Sequence, residues 1–105
     1  MSKKSDIKKI VNILSKALRH KIGSIVNKNE LYASKYAKDA EILMREAEKV
    51  SLRENWNNHD KINIRKKLER ELEIELKRKD FLADEKFSLM EREIEWAMKV
   101  IFSEI

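Results

Sequence analysis

Apolar residues recur every three or four positions along most of the chain, which is the spacing that an amphipathic α-helix requires. The first stripe follows Ser5 and Asp6, a pair that suits a helix N-cap with an acid in the first turn. Its apolar positions are Ile7, Ile10, Val11, Leu14, Ala17, Leu18, Ile22 and Ile25. We therefore predict a first amphipathic helix within residues 1–28, capped near Ser5.

A second stripe predicts an alanine-rich helix within residues 29–54. Asn27 and Glu30 precede it with the spacing of a capping box. The stripe contains Ala33, Tyr36, Ala37, Ala40, Leu43, Met44, Ala47 and Val50. Because small side chains allow a short distance between helix axes, another helix can approach this stripe closely.

Residues 55–60, Asn-Trp-Asn-Asn-His-Asp, interrupt the helical spacing. Asn and Asp side chains compete for backbone hydrogen bonds and favour turns. We therefore predict a corner here, with Asn58 or Asp60 capping the next helix. Trp56 is expected to fold back against the core at this corner.

The last segment, residues 61–105, contains neither Gly nor Pro and continues the apolar spacing. One helix of about 40 residues would be roughly 60 Å long, whereas a break near residues 80–84 would give two helices of ordinary length. Four helices can enclose a core without a partner, which favours the break. We therefore predict an all-α fold, in which a single domain of three or four antiparallel helices self-associates.

Composition narrows the class of protein. The chain has 105 residues, 42% apolar and 41% charged, with one Gly, no Pro and no Cys. Few turn residues argue against β-hairpins, and the lack of Cys excludes disulfides and Cys-ligated metals. The abundance of Lys, Glu and Ile resembles the composition of thermophile proteins. No apolar run approaches the ~20 residues of a membrane span, and the charged N-terminus is unlike a secretory signal, so we expect a cytoplasmic protein.

The net charge of +5 is unevenly distributed, since residues 1–28 carry eight Lys and Arg against one Asp. Cationic strips bind nucleic-acid phosphates without reading the base sequence, so we predict that this strip binds DNA or RNA. The residues of the strip are Lys3, Lys4, Lys8, Lys9, Lys16, Arg19 and Lys21. A solvated face, or contact with the acidic C-terminal part of a second copy, stays open. A membrane surface is less favoured, because this helix lacks Trp and Phe anchors.

The C-terminal segment has more large apolar residues than one helix face can bury. Residues 69–77 and 91–99 are similar in sequence, but the second carries Trp96 where the first carries Ile74. Because Trp, Phe and Met are enriched at protein interfaces, we predict an interface with a protein partner or a second copy; core packing alone is the alternative. The predicted interface residues are Phe87, Met90, Ile94, Trp96, Met98, Ile101 and Phe102.

Candidate catalytic chemistry is sparse, because the chain has two His and no Cys. It lacks HExxH, GxGxxG and P-loop patterns, so we predict neither a metal site nor a cofactor. Arg53 and His59 are separated by five residues, a spacing that resembles the motif of HEPN-type ribonucleases, small helical bundles that act as dimers. The resemblance implies His59 as general acid or base and Arg53 as the group that stabilises phosphate charge.

The sequence therefore favours a non-enzymatic interaction protein. We expect an accessory or regulatory subunit that contacts a protein partner through its C-terminal helix and nucleic-acid phosphates through its N-terminal helix. Two alternatives stay open. One is a small ribonuclease or toxin that uses Arg53 and His59, and the other is a viral or mobile-element antagonist protein whose charges mimic or mask a partner's surface.

Overall fold

Four α-helices make up the fold. The computed structural model describes residues 2–27, 31–79 and 84–102. These residues form α1 (Lys3–Val26), α2 (Ala33–Ser51), α3 (Asn58–Lys77) and α4 (Glu85–Phe102), and no strand occurs among them. The prediction of an all-α bundle is confirmed. The described part of segment 61–105 forms two helices, and of the predicted break near residues 80–84, residues 80–83 lie outside the described residues.

The helices alternate in direction along the chain, so that consecutive helices are antiparallel and α1 is parallel to α3. Ion pairs join the starts of α1 and α3, Lys3 to Asp60 at 2.7 Å, and their ends, Arg19 to Glu75 at 2.8 Å. Both α1 and α4 pack against the three other helices, whereas α2 and α3 do not pack against each other in the described ranges. The order around the bundle is therefore α1, α2, α4, α3. The α1–α3 edge and the α2–α4 edge lie on opposite sides.

The core is built from the apolar stripe of each helix. Burial of these side chains is the main favourable contribution to folding, at about 1.5–3 kcal/mol for each large aliphatic residue. The large apolar side chains with no exposed surface are Ile10, Leu14, Leu18, Ile22, Ile64, Leu68, Leu72, Leu76 and Ile94. Their spacing of three or four along each helix is the spacing that the sequence shows, so the helix periods alone identify most of the core.

The first two helix starts differ from the predicted ones. The N-cap of α1 is Ser2 rather than Ser5, since the Ser2 hydroxyl accepts a hydrogen bond from the Ser5 backbone N–H at 3.2 Å. Asp6 lies in the first turn, as predicted. The predicted capping box of Asn27 and Glu30 involves residues outside the described ones. The structure begins α2 at Ala33, with no side-chain hydrogen bond from Tyr32 at its N-cap.

The start of α3 is capped by Asn57, which lies one residue before Asn58 and three residues before Asp60, the two predicted caps. Asn57 Oδ1 accepts from the Asp60 backbone N–H at 2.8 Å, and Asp60 Oδ2 accepts from the Asn57 backbone N–H at 3.2 Å. Asp60 is therefore the second half of a capping box rather than the cap. Trp56 turns back towards the core, as predicted, where its Nε1 donates to the Ser51 carbonyl oxygen at 2.7 Å and its ring meets Phe102 edge-on.

Asp60 also connects this cap to α1. The Lys3 ammonium donates to Asp60 Oδ2 at 2.7 Å. This bond, together with the Asn57 backbone N–H, lowers the pKa of Asp60 below its usual value. A carboxylate with a lowered folded-state pKa stabilises the fold above its unfolded pKa. The contribution of Asp60 is therefore lost as the pH falls through its lowered folded-state pKa.

We expect Asn57→Ala to lower the free energy of unfolding by about 1 kcal/mol, because it leaves a backbone N–H in the first turn of α3 without its side-chain acceptor. Urea unfolding followed by circular dichroism measures this change. Asn58→Ala is the matched control. Asn58 is exposed and makes no side-chain hydrogen bond with a described residue, so we expect a change below about 0.5 kcal/mol. Equal losses in both variants would contradict the capping role.

Candidate nucleic-acid interface

Helix packing divides the predicted cationic strip of α1 into two groups. In the first group each residue forms an ion pair with another helix: Lys3 with α3, Arg19 with α3, and Lys21 with α4. The Lys21 ammonium lies 2.6 Å from Glu93 Oε1 and 3.3 Å from the centre of the Trp96 ring. Each of these three cations is therefore paired with a carboxylate of another helix.

The second group consists of Lys4, Lys8, Lys9 and Lys16, whose side chains are exposed. None of them forms an ion pair with a described residue. Lys4 and Lys8 are one helical turn apart and both line a groove between α1 and α3, which Lys9 and Lys16 do not line. Four of the seven predicted cations thus keep their charge available to a ligand.

A groove between α1 and α3 gathers cations from both helices. It has a volume of about 330 Å³ and is lined by Lys4, Lys8, Val11, Asn12, Lys67, Arg70 and Glu71. Lys67 and Arg70 are three residues apart on α3, so they share one helix face. Neither forms an ion pair with a described residue. Four cations and one carboxylate therefore line the groove.

Lys67 and Arg70 are absent from the residues predicted from the sequence. The available signal was the excess of Lys and Arg over Asp and Glu in residues 55–79. That excess does not show which helix lies beside α1. The pairing of α1 with α3 is what places these two cations opposite Lys4 and Lys8.

The charged form of the neighbouring imidazole, His20, is disfavoured by its surroundings. His20 is half-buried and its ring lies 5.6 Å from the ring of Tyr36. Burial, followed by the positive charge of Arg19, lowers the pKa of His20 below its ordinary value. The charge available on this helix is therefore that of Lys4, Lys8, Lys9 and Lys16.

The two residues of the ribonuclease-like spacing lie in different environments. The Arg53 guanidinium is 3.7 Å from Asp6 Oδ1, a carboxylate that is almost completely buried. His59 is exposed in the first turn of α3, and no hydrogen bond or ion pair joins it to Arg53. Glu54 lies close to the Asp6 carboxyl group, which raises the pKa of Glu54. In this structure Arg53 is a counterion for Asp6.

The predicted interface residues of α4 are also divided by packing. Ile94, Met98 and Ile101 belong to the buried core, and Met90 and Phe102 pack against its edge. Phe87 and Trp96 remain 37% and 38% exposed. The apolar surplus of this helix is therefore mostly core, and Trp96 and Phe87 are the members with substantial accessible surface.

The two similar segments, residues 69–77 and 91–99, meet at one arginine. Arg65 pairs with Glu69 from the first segment and with Glu91 and Glu95 from the second, at 3.3, 3.3 and 2.6 Å. These carboxylates raise the pKa of Arg65, and Arg65 lowers the pKa of Glu95. Arg65 thus binds glutamates of both segments and connects α3 to α4 across the surface of the bundle.

Two kinds of site are missing from the described part of the chain. It contains no group of three or more His, Cys, Asp or Glu residues placed to hold a metal ion. None of its helices combines the length and the apolar character that crossing a membrane requires.

Comparisons of the chain with protein-family models, with curated proteins and with solved structures find no match. The charged groove between α1 and α3 is the candidate site, because four cations without an ion-pair partner among the described residues line it.

Proposed function

We propose that this protein is a non-enzymatic accessory protein that holds the phosphate backbone of a nucleic acid in the groove between α1 and α3. The convergence of four cations without ion-pair partners in the described chain, from two parallel helices, supports this proposal. Like charges that converge on a groove repel each other and raise the local positive potential. A bound polyanion relieves this repulsion and releases its own counterions.

The chemistry of the lining residues favours contact with phosphate rather than with bases. Arg70 can present two N–H groups to one phosphate, and Lys4, Lys8 and Lys67 supply point charges along its path. Contacts to phosphate fix position but carry no sequence information. We therefore expect little dependence of affinity on base sequence.

An anionic membrane is a weaker match for this groove than a nucleic acid. Helices that lie on membranes bury an apolar face with Trp, Phe or Leu beneath the charges. Val11 is the apolar residue that lines the groove. The surface supplies charge without an apolar anchor, which suits a hydrophilic polyanion.

Salt dependence tests the proposal most directly. Fluorescence anisotropy with labelled duplex DNA and single-stranded RNA at several salt concentrations gives the slope of log K against log salt. Four phosphate contacts predict a slope of about −3 to −4 on duplex DNA. Absence of salt-sensitive binding to both nucleic acids, or binding to anionic vesicles alone, would overturn the proposal.

The double variant Lys67→Ala/Arg70→Ala tests whether the groove is the site. We expect the slope to fall in magnitude by about two, because two phosphate contacts are removed. The matched control, Lys35→Ala/Lys49→Ala, removes the same charge from exposed positions of α2, which does not pack against α3. An equal loss in the control would show that net charge, not the groove, determines binding.

In contrast to the double variant, Glu71→Gln is expected to strengthen binding to the nucleic acid. The Glu71 carboxylate lines the groove among the four cations. Because this negative charge repels a bound phosphate, its removal should tighten binding about two- to threefold. This result cannot come from damage to the fold. Unchanged or weaker binding would place the phosphate elsewhere on the molecule.

A further inference from the structure

The outer face of α2 carries four charges that alternate in sign and are unpaired among the described residues. Lys38, Glu41, Arg45 and Glu48 are all exposed, and they lie within roughly 80° of one another around the helix. Glu41 and Arg45 have the i,i+4 spacing that usually forms an ion pair, yet no ion pair joins any of the four to the described chain. These charges contribute little to the fold of one copy.

A two-fold rotation places each of these four charges opposite a charge of the other sign on the second helix. About an axis perpendicular to the helix at the level of Leu43, position 41 exchanges with position 45, and position 38 exchanges with position 48. Each exchange brings opposite charges together, since the first pair is Glu and Arg and the second is Lys and Glu. Two α2 helices packed antiparallel around this axis therefore match all four charges. A two-fold interface requires this kind of self-complementarity.

An apolar groove runs beside this face, between α2 and α4. It has a volume of about 410 Å³, and its apolar lining consists of Ile25, Ala37, Ala40, Met44, Trp96 and Val100. Glu41, Arg45 and Glu48 form part of its rim. An apolar floor with a charged rim is the usual anatomy of a protein interface.

We infer that the occupant of this face is a second copy of the chain, with α2 packed antiparallel against α2 of that copy about an axis at the level of Leu43. Glu41 then faces Arg45 of the second copy, and Lys38 faces Glu48 of the second copy. The small, exposed side chain of Ala37 lies beside this face and allows the two helices to approach closely. The apolar groove supplies most of the affinity, while the charges fix the antiparallel register, because exposed ion pairs are individually weak.

This inference goes beyond the proposed nucleic-acid binding and is independent of it. The face lies on the α2–α4 edge, on the side of the bundle opposite the α1–α3 groove. Substitutions on α2 therefore leave the phosphate-binding residues unchanged. Failure of one proposal carries no consequence for the other.

Charge reversal with light scattering tests the inference. Multi-angle light scattering after size exclusion at low salt should give a dimer for the unmodified chain. Glu41→Arg and Arg45→Glu should each raise the dimer dissociation constant about tenfold or more, since two-fold symmetry turns two attractive pairs into repulsive ones. The double variant Glu41→Arg/Arg45→Glu should restore the dimer. An equimolar mixture of the two single variants should form a heterodimer.

Glu46→Arg is the matched control. Glu46 is exposed on a different side of α2 from the four charges, so its reversal should leave the dissociation constant unchanged. Circular dichroism checks that each variant is folded. A monomeric unmodified chain at tens of micromolar would overturn the inference. So would a double variant, or a mixture of the single variants, that fails to associate.

Discussion

Replacing Leu14 with alanine is expected to lower the free energy of unfolding by about 3–4 kcal/mol. Leu14 has no exposed surface and lies near the middle of α1, one of the two helices that pack against all three others. Truncation removes apolar contacts and leaves a cavity that surrounding helices fill only in part. For a domain of about 100 residues, a loss of 3 kcal/mol lowers the Tm by roughly 12–24 °C.

Urea and thermal unfolding of the variant measure this loss. Leu31→Ala is the matched control, because the same atoms are removed from a side chain that is 87% exposed. We expect the control to change the free energy of unfolding by less than about 0.5 kcal/mol. A loss below about 1 kcal/mol for Leu14→Ala would mean that α1 is not the centre of the core.

The second large effect concerns the buried carboxylate of α4. The Glu93 side chain is 4% exposed, and its two oxygens face Lys21 at 2.6 Å and Arg92 at 3.0 Å. The approach of Lys21 does not satisfy hydrogen-bond geometry, so we interpret this contact as an ion pair. Removing one partner of a buried pair leaves an uncompensated charge. Because Lys21 is itself partly exposed, we expect Lys21→Met to cost about 2–3 kcal/mol.

A double-mutant cycle separates charge from packing at this position. Replacing both partners by apolar residues, as in Lys21→Met/Glu93→Leu, should return the free energy of unfolding to within about 1 kcal/mol of the unmodified protein. Arg92 is 61% exposed, so Arg92→Met should cost about 1 kcal/mol or less. If Lys21→Met is equally damaging with and without Glu93→Leu, the contribution of Lys21 comes from its contact with Trp96 instead.

The helices and most of the core follow from local sequence. The apolar stripe of α3 is an example, because Ile64, Leu68, Leu72 and Leu76 recur every fourth residue and all four are buried. The corner before α3 is also predictable, since Asn and Asp favour turns wherever they cluster. The cap, however, is Asn57 instead of Asn58 or Asp60. Several neighbouring side chains can cap the same helix end, and the sequence does not rank them.

The candidate site is only partly predictable. Lys4 and Lys8 belong to the predicted strip, but Lys67 and Arg70 do not, because their contribution depends on which helix lies beside α1. The apolar surplus of α4 predicts an interface, yet Ile94, Met98 and Ile101 are core residues. A residue count can show that a helix is rich in apolar side chains. It does not show how many other helices surround that helix.

What the sequence by itself determined is therefore local: the helical class, the buried stripes and the corner between α2 and α3. These depend on interactions between residues a few positions apart. Only the tertiary structure decided which cations remain available to a ligand. Lys3 is neutralised by Asp60, 57 positions away, and Arg19 by Glu75, 56 positions away, whereas Lys8 and Lys67 are left facing a common groove. Such distant pairings arise from the order of the helices around the bundle, because that order determines which charged faces meet.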